Sequence, residues 1–145
     1  MILVDEAATV RAGAALAPLL QPGDIVTLSG PLGVGKTAFA RALLQAAGHA
    51  GEVPSPTFAI VQPYEELPIP IWHCDLYRIE DPRELGELGL ETVLEDGALL
   101  VEWPERAGEA AWPQALRLSL DFAEGGARCL TAQVPAPWEG RWPPR

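Results

Sequence analysis

Residues 30–37 constrain this chain more than any other segment, because they read Gly-Pro-Leu-Gly-Val-Gly-Lys-Thr and match the pattern G-x-x-x-x-G-K-[ST]. In such a segment the glycines let the loop wrap with its N–H groups turned inward, toward phosphate oxygens. The lysine reaches the β- and γ-phosphates of a nucleotide, and the threonine hydroxyl binds Mg²⁺. The segment therefore predicts a phosphate-binding loop (P-loop). The residues predicted to contact the nucleotide are Leu32, Gly33, Val34, Gly35, Lys36 and Thr37.

The segments on either side of this loop have the pattern of an α/β fold. Residues 25–29 are apolar and β-branched, which predicts a buried strand before the loop. Residues 36–47 carry apolar side chains on one face and precede Gly48, which predicts a helix after it. The positive N-terminal end of that helix would also face a bound phosphate.

Further elements follow from apolar runs and turn signals. An alanine-rich helix is predicted from Asp5, kinked or ended by Pro18, and a short helix is capped by Asp81. Strands are predicted over residues 57–62, 69–76, 98–101, 116–122 and 129–134.

We expect these elements to form a single α/β P-loop NTPase domain over residues 1–134. Its mixed sheet should have parallel core strands, where strand 25–29 neighbours the strands that end at Asp75 and Glu102, and helices on both faces. The last two strands are expected to be antiparallel additions. Residues 135–145, rich in proline and tryptophan, are expected to form a loosely packed tail.

The charge balance narrows the possible partners. Ten basic against twenty acidic residues give a net charge of −10, and a protein that binds nucleic acid directly normally presents a basic face. Direct nucleic-acid binding is therefore not expected. Membrane binding is not expected either, because the chain has no polybasic run and no apolar run near the roughly 20 residues of a membrane span. Two cysteines outside any CxxC pair favour a reduced, cytoplasmic protein.

Missing residue types help to identify the nucleotide. GTPases read guanine with an Asn/Thr-Lys-x-Asp segment, whereas this chain has no asparagine and Lys36 is its only lysine. ATP is therefore the expected nucleotide.

Two acids and a threonine are candidates for the chemistry at the phosphates. Glu102 ends the apolar strand 98–101, the position of a Walker B acid that binds Mg²⁺. Asp75 ends the strand segment 69–74 and is a second candidate. Thr57 follows Ser55-Pro56, where a switch loop could bring its hydroxyl to the γ-phosphate or Mg²⁺. His73 is expected to be a packed strand residue, and Trp72 and Tyr77 are assigned to core, interface or site with equal weight.

Four blocks together resemble the TsaE family, formerly called YjeE, over roughly residues 5–134. They are the loop at 30–37, Ser55-Pro56-Thr57-Phe58, His73-Cys74-Asp75-Leu76-Tyr77-Arg78 and Val101-Glu102-Trp103-Pro104. The resemblance implies a small ATPase, weak alone, that acts with TsaB and TsaD in forming threonylcarbamoyladenosine at adenosine 37 of tRNA. The TsaB–TsaD pair transfers the threonylcarbamoyl group, and the ATP cycle resets the complex between turnovers.

The resemblance also implies roles for individual residues. Thr57 resembles the switch threonine, Asp75 the acid that organises Mg²⁺ and the attacking water, and Glu102 the Walker B acid. Trp103 resembles the tryptophan beside the nucleotide. Glu6 or Thr9 falls where the N-terminal segment of the family approaches adenine.

Two other functions stay open at this point. A small-molecule kinase would need a substrate pocket and an arginine-bearing lid, to which Arg78, Arg83 and Arg106 would be the contributors, and a chain of 145 residues leaves little room for a lid. A non-hydrolysing module, in which ATP only stabilises an interface, would carry the same P-loop.

Overall fold

The computed structural model describes residues 1–53, 61–108 and 111–144. Within these residues the strands are β1 (Ile2–Leu3), β2 (Ile25–Ser29), β3 (Val61–Tyr64), β4 (Ile71–Asp75), β5 (Ala98–Glu102), β6 (Leu116–Phe122) and β7 (Arg128–Gln133). The α-helices are α1 (Glu6–Leu16), α2 (Lys36–Ala46) and α3 (Leu90–Val93). Short 3-10 helices span Ala17–Leu19, Pro82–Leu88, Pro104–Ala107, Glu124–Gly126 and Ala136–Trp138.

The strands form one mixed sheet in the order β1-β7-β6-β2-β5-β4-β3. Strands β6, β2, β5 and β4 are parallel, whereas β3, β7 and β1 pair antiparallel with their neighbours. The predicted mixed α/β fold with a parallel core is therefore confirmed.

Two details of the predicted sheet are wrong. Strand β6 is not an antiparallel addition, because it pairs in parallel with β2, and only its pairing with β7 is antiparallel. A long connection between β5 and β6 lets the chain return to the same end of the sheet before β6 begins. Strand β4 does not neighbour β2 either, since β5 lies between them.

The strand predicted over residues 57–62 ends before Pro63, whereas in the structure Pro63 lies inside β3. Proline has no N–H to give to a ladder, so it is tolerated in a strand at the edge of a sheet. Strand β3 is at such an edge and pairs with β4 alone.

Helices cover both faces of the sheet, as predicted. On one face α1 and α2 pack together over a core that includes Leu28, Phe39 and Leu100. The two helices approach closely at Gly13, where an added Cβ would lie 2.4 Å from the carbonyl oxygen of Phe39. On the other face, the short helices Pro82–Leu88 and α3 border a second core around Leu99 and Val101.

The ends of α1 agree with the sequence. The Asp5 carboxylate accepts a hydrogen bond of 2.8 Å from the backbone N–H of Ala8 and caps the helix. The α-helix ends at Leu16, and Pro18 lies in the 3-10 turn that follows.

The expectation of a loosely packed tail is wrong. Trp138 is only 1% exposed and belongs to the core beneath α1 and α2. Arg141 stacks on its ring and forms hydrogen bonds of 2.7 and 2.9 Å with the Asp24 carboxylate. A tryptophan buries a large apolar area, so this segment completes the domain.

Among the described residues, no helix is both long and apolar enough to cross a membrane.

Candidate functional site

The loop at residues 30–37 connects the end of β2 to the start of α2, as the motif requires. Gly30 has φ +145°, and an added Cβ would lie 2.3 Å from the carbonyl oxygen of Leu120, so no other residue fits there. Gly35 has φ +116° and occupies the position before the first residue of α2. Residues other than glycine rarely adopt these positive φ values. Such backbone conformations turn the loop around the N-terminus of the helix.

Lys36, the first residue of α2, folds back over the loop that precedes it. Its side chain is buried, and Nζ donates to the carbonyl oxygens of Gly30 and, at 3.4 Å, of Pro31. The ammonium group also lies 3.7 Å from the centre of the Trp103 ring. Burial lowers the pKa of Lys36, against the charges of Glu102, Glu105 and Asp75, which raise it. The lysine is thus a cation held by acceptors that an anionic ligand can replace.

A cleft of about 380 Å³ opens between this loop and the ends of β4 and β5, and we call it the carboxylate cleft. It is lined by Leu32, Gly33, Gly35, Lys36, Thr37, Asp75, Tyr77, Arg78, Glu102 and Trp103. Most of the residues predicted for the nucleotide site are therefore gathered here. Val34 also belongs to the loop, but its side chain is buried and does not line this cleft.

The two acids of the cleft are direct neighbours, because Asp75 and Glu102 stand opposite each other in the parallel pairing of β4 with β5. Burial raises the pKa of Asp75, the charge of Glu102 raises it further, and the backbone N–H of Tyr77, 3.0 Å from Oδ1, lowers it. Glu102 is 2% exposed, and its Oε2 lies within hydrogen-bond distance, 2.6 Å, of Nε2 of His73. Two carboxylates held this close favour a cation between or beside them.

The donor set of the cleft fits Mg²⁺ bound together with phosphates. Among the described residues no group of three or more His, Cys, Asp or Glu side chains could hold a metal ion by itself. Mg²⁺ is usually bound through one or two carboxylates, waters and the phosphates of a nucleotide, and it prefers oxygen ligands. Glu102 and Asp75 supply the carboxylates, and Thr37, whose side chain carries a hydroxyl, lines the same cleft.

Aromatic side chains form one wall of the carboxylate cleft. Trp103 has φ +57° and is the one residue other than glycine with a positive φ in the described part of the chain. Its ring lies 4.9 Å from that of Tyr77, and the Arg106 guanidinium lies 5.5 Å from the Tyr77 ring. Tyr77, which the sequence left undecided, and Arg78 therefore belong to the site.

A second cleft of about 360 Å³ lies on the other side of the loop, and we call it the N-terminal cleft. It is lined by Asp5, Glu6, Thr9, Gly33, Val34, Gly35, Ala38, Gly126 and Arg128. Glu6 and Thr9, the candidates for the adenine side, are thus brought beside the loop. Thr9 is almost fully buried, and its methyl group would lie 3.7 Å from a Cβ added at Gly35.

Sequence reasoning missed Arg128. Its Nε donates a hydrogen bond of 2.8 Å to the carbonyl oxygen of Val34, which ties β7 to the loop. The two residues are 94 positions apart, and no local pattern marks an arginine at the start of an antiparallel strand as a site residue. Thr57, the predicted switch residue, lies outside the described residues, as does the rest of the Ser55-Pro56-Thr57-Phe58 block.

Comparison with known proteins gives one consistent result. The model of the family described as "Threonylcarbamoyl adenosine biosynthesis protein TsaE" matches residues 3–130. A protein of Rickettsia felis with the name "tRNA threonylcarbamoyladenosine biosynthesis protein TsaE" is 36% identical over 129 residues, which cover 88% of this chain and 75% of the relative. A Rickettsia bellii protein of the same name is 44% identical over 105 residues, covering 72% of this chain and 73% of the relative.

A solved structure agrees with this. The crystal structure of YdiB from Bacillus subtilis superposes with a TM-score of 0.77 at 28% sequence identity, covering 91% of this chain and 82% of that one.

Proposed function

The chain belongs to the TsaE family, and from this premise we propose that it is a Mg²⁺-dependent ATPase required for threonylcarbamoyladenosine formation in tRNA. One observation carries the proposal: Lys36 and Thr37 of the P-loop face the Asp75–Glu102 carboxylate pair across one cleft. The cleft opens at the carboxyl ends of the parallel strands β2, β4 and β5, where α/β proteins bind their ligands.

The loop binds the phosphates of ATP in this proposal. Its backbone N–H groups and the N-terminus of α2 attract the phosphate oxygens. Lys36 then exchanges the carbonyl oxygens of Gly30 and Pro31 for the β- and γ-phosphates, which are stronger partners because they are charged. Trp103, whose ring already contacts the lysine, lies beside the nucleotide.

The acids prepare the hydrolysis. Thr37 and Glu102 are the residues that would hold Mg²⁺, and the chemistry that this ion would supply is neutralisation of charge on the phosphates. Asp75 stands beside Glu102 with a raised pKa, which makes it a better proton acceptor than an ordinary aspartate. Its role is to orient the attacking water and take up its proton.

The partners are proposed from the family. The relatives carry names that refer to tRNA threonylcarbamoyladenosine biosynthesis, and we propose that this chain acts with TsaB and TsaD homologues, which carry out the transfer itself. ATP hydrolysis would reset that complex between turnovers. The net charge of −10 agrees with a role on tRNA that passes through partner proteins without direct contact. The proposed place of action is the cytoplasm.

A partner experiment tests the proposal. The protein is combined with its TsaB and TsaD homologues, and capture of the pair is measured with ATP, with ADP and without nucleotide, together with single-turnover ATP hydrolysis. We expect nucleotide-dependent capture, and hydrolysis that is faster with the partners than without them. Capture without any hydrolysis would favour a non-hydrolysing module, and phosphorylation of a small molecule by the isolated protein would favour a kinase.

A further inference from the structure

A buried side-chain pair lies beneath the carboxylate cleft. The side chains of His73 and Glu102 are 0% and 3% exposed, and Nε2 of the histidine lies 2.6 Å from Oε2 of the glutamate. The pairing of β4 with β5 explains this contact, because His73 stands opposite Leu100 and Glu102 follows two residues later. Diagonal neighbours on one face of a sheet are within reach of long side chains.

The chemistry of the pair decides which atom donates. An ionised carboxylate only accepts hydrogen bonds, so Nε2 of His73 carries the proton and donates it to Oε2 of Glu102. The bond is short and its acceptor is charged, which makes it stronger than a bond between neutral groups. Oε2 of Glu102 is thereby held in the interior. The other oxygen, Oε1, can then serve a ligand in the carboxylate cleft, which Glu102 lines.

The second ring nitrogen shows that histidine is a costly residue at this position. Nδ1 of His73 is buried and has no hydrogen-bond partner within the described part of the chain. A buried polar atom without a partner destabilises a fold, and the neighbouring residues Ile71 and Cys74 of β4 are buried apolar side chains. A side chain that served packing alone would be apolar here, so the contact with Glu102 is what the histidine provides.

We propose that His73 is a positioning residue: its Nε2–H holds one oxygen of Glu102 and thereby orients the other toward the cation that accompanies the nucleotide. His73 does not line the carboxylate cleft and therefore acts through Glu102. This inference rests on the proposed function, since it requires that the cleft binds ATP together with Mg²⁺. Replacing such an outer partner of a metal ligand typically costs 10- to 100-fold in metal affinity or activity.

Three substitutions at one position separate the hydrogen bond from packing. His73→Leu removes the donor at similar volume, and His73→Asn keeps an amide that is too short to reach Glu102. His73→Gln places an amide N–H near the position of Nε2. The control is Ile71→Val, which perturbs a buried residue of the same strand without touching the pair.

Binding of ATP is measured by equilibrium dialysis as a function of Mg²⁺ concentration and in EDTA. For His73→Leu and His73→Asn we expect the Mg²⁺ concentration at half-maximal binding to rise about 10- to 100-fold, while affinity in EDTA stays within about threefold of the wild type. His73→Gln and Ile71→Val should keep the wild-type Mg²⁺ dependence. In a Glu102→Ala background, His73→Leu should have no further effect.

The outcomes distinguish the two proposals. If the wild type shows Mg²⁺-dependent ATP binding and either loss variant that folds shows the same dependence, this inference is wrong and the proposed function stands. A loss in His73→Gln as large as in His73→Asn would also overturn it, because the hydrogen bond would then be irrelevant. A wild type that does not bind ATP would overturn both.

Discussion

The P-loop has a cleft on each side, and the two clefts share Gly33 and Gly35 but differ in how they hold their charges. In the carboxylate cleft the charged groups come from the loop and from two adjacent parallel strands, and Lys36 and Glu102 are buried. In the N-terminal cleft they come from the start of α1 and from Arg128 at the start of β7, and Glu6 is exposed.

The charged groups of the two clefts differ in burial, and this difference points to different roles for the clefts. Burial lowers the pKa of Lys36 and raises the pKa of Asp75, so both groups are partly withdrawn from water. Charges in such surroundings interact more strongly than charges in water. Exposed charges are screened by salt, so they contribute little to the binding of a charged ligand. We therefore propose that the chemistry on phosphates takes place in the carboxylate cleft and that the N-terminal cleft contributes modestly to nucleotide affinity.

Lys36→Ala should have the largest effect, because it removes the buried cation of the carboxylate cleft. Hydrogen bonds to charged groups contribute about 1.5–3 kcal/mol each, and the loss of two lowers ATP affinity by at least about a hundredfold. Calorimetric titration with ATP measures it. Near wild-type affinity in this variant would remove the basis for placing the phosphates in this cleft.

Glu102→Gln should come next and act on hydrolysis more than on binding. The amide can still accept the hydrogen bond from His73, but it loses the charge that Mg²⁺ prefers. We expect the rate of Mg²⁺-dependent hydrolysis to fall by more than about a hundredfold, beyond the loss typical of outer partners, while ATP affinity in EDTA stays near that of the wild type.

Asp75→Ala is the companion variant in the same assay. If Glu102→Gln keeps the wild-type rate and Asp75→Ala is inactive, the two acids have exchanged roles, and Asp75 is the acid on Mg²⁺.

Arg128→Ala tests the N-terminal cleft, which Arg128 lines. It removes the hydrogen bond to the Val34 carbonyl that supports the loop at the N-terminal cleft. One partly exposed bond of this kind corresponds to about a three- to tenfold loss of ATP affinity, equal with and without Mg²⁺. Arg41→Ala, an equal change of charge on the exposed side of α2, is the control. A loss seen only with Mg²⁺ would mean that the two clefts are not separate in function.

The smallest expected effect is that of Asp75→Asn on the melting temperature of the protein, measured in the absence of nucleotide and metal. Burial raises the pKa of Asp75 above the ordinary value of 3.8, so its ionised form is less favourable in the folded state than in the unfolded one. Asp75→Asn should therefore raise the melting temperature at pH 7, and this gain should shrink as the pH falls through the raised pKa toward 3.8.

Asp81→Asn is the control of opposite sign in the same melting experiment. The hydrogen bonds from Arg83 lower the pKa of Asp81, so its stabilising contribution is present near neutral pH and is lost as the pH falls through the lowered pKa. Asp81→Asn should slightly lower the melting temperature at pH 7. The same sign for both variants would contradict the difference in burial between these two carboxylates.

Much of the fold and of the carboxylate cleft could be predicted, because the signals are local. The loop, the strand before it and the helix after it lie within one continuous segment, and Asp75 and Glu102 each end an apolar strand. The direction of β6 could not be predicted, since the alternation of apolar residues is the same in parallel and antiparallel strands. The packing of Trp138 could not be predicted either, because proline-rich composition gives no information about distant partners.

The sequence by itself determined where the P-loop lies and which two acids stand at strand ends, because each follows from residues adjacent in the chain. Phosphate binding at this loop and a preference for ATP over GTP are predictions from the same local signals. Only the tertiary structure decided which groups support them. His73 meets Glu102 across 29 positions, Arg128 meets Val34 across 94, and Arg141 meets Asp24 across 117. The physical reason is that the sheet and the segments packed against it bring distant residues into contact. His73 is fully buried and Arg128 and Arg141 are partly buried, and the contact holds each side chain in place as a hydrogen-bond donor.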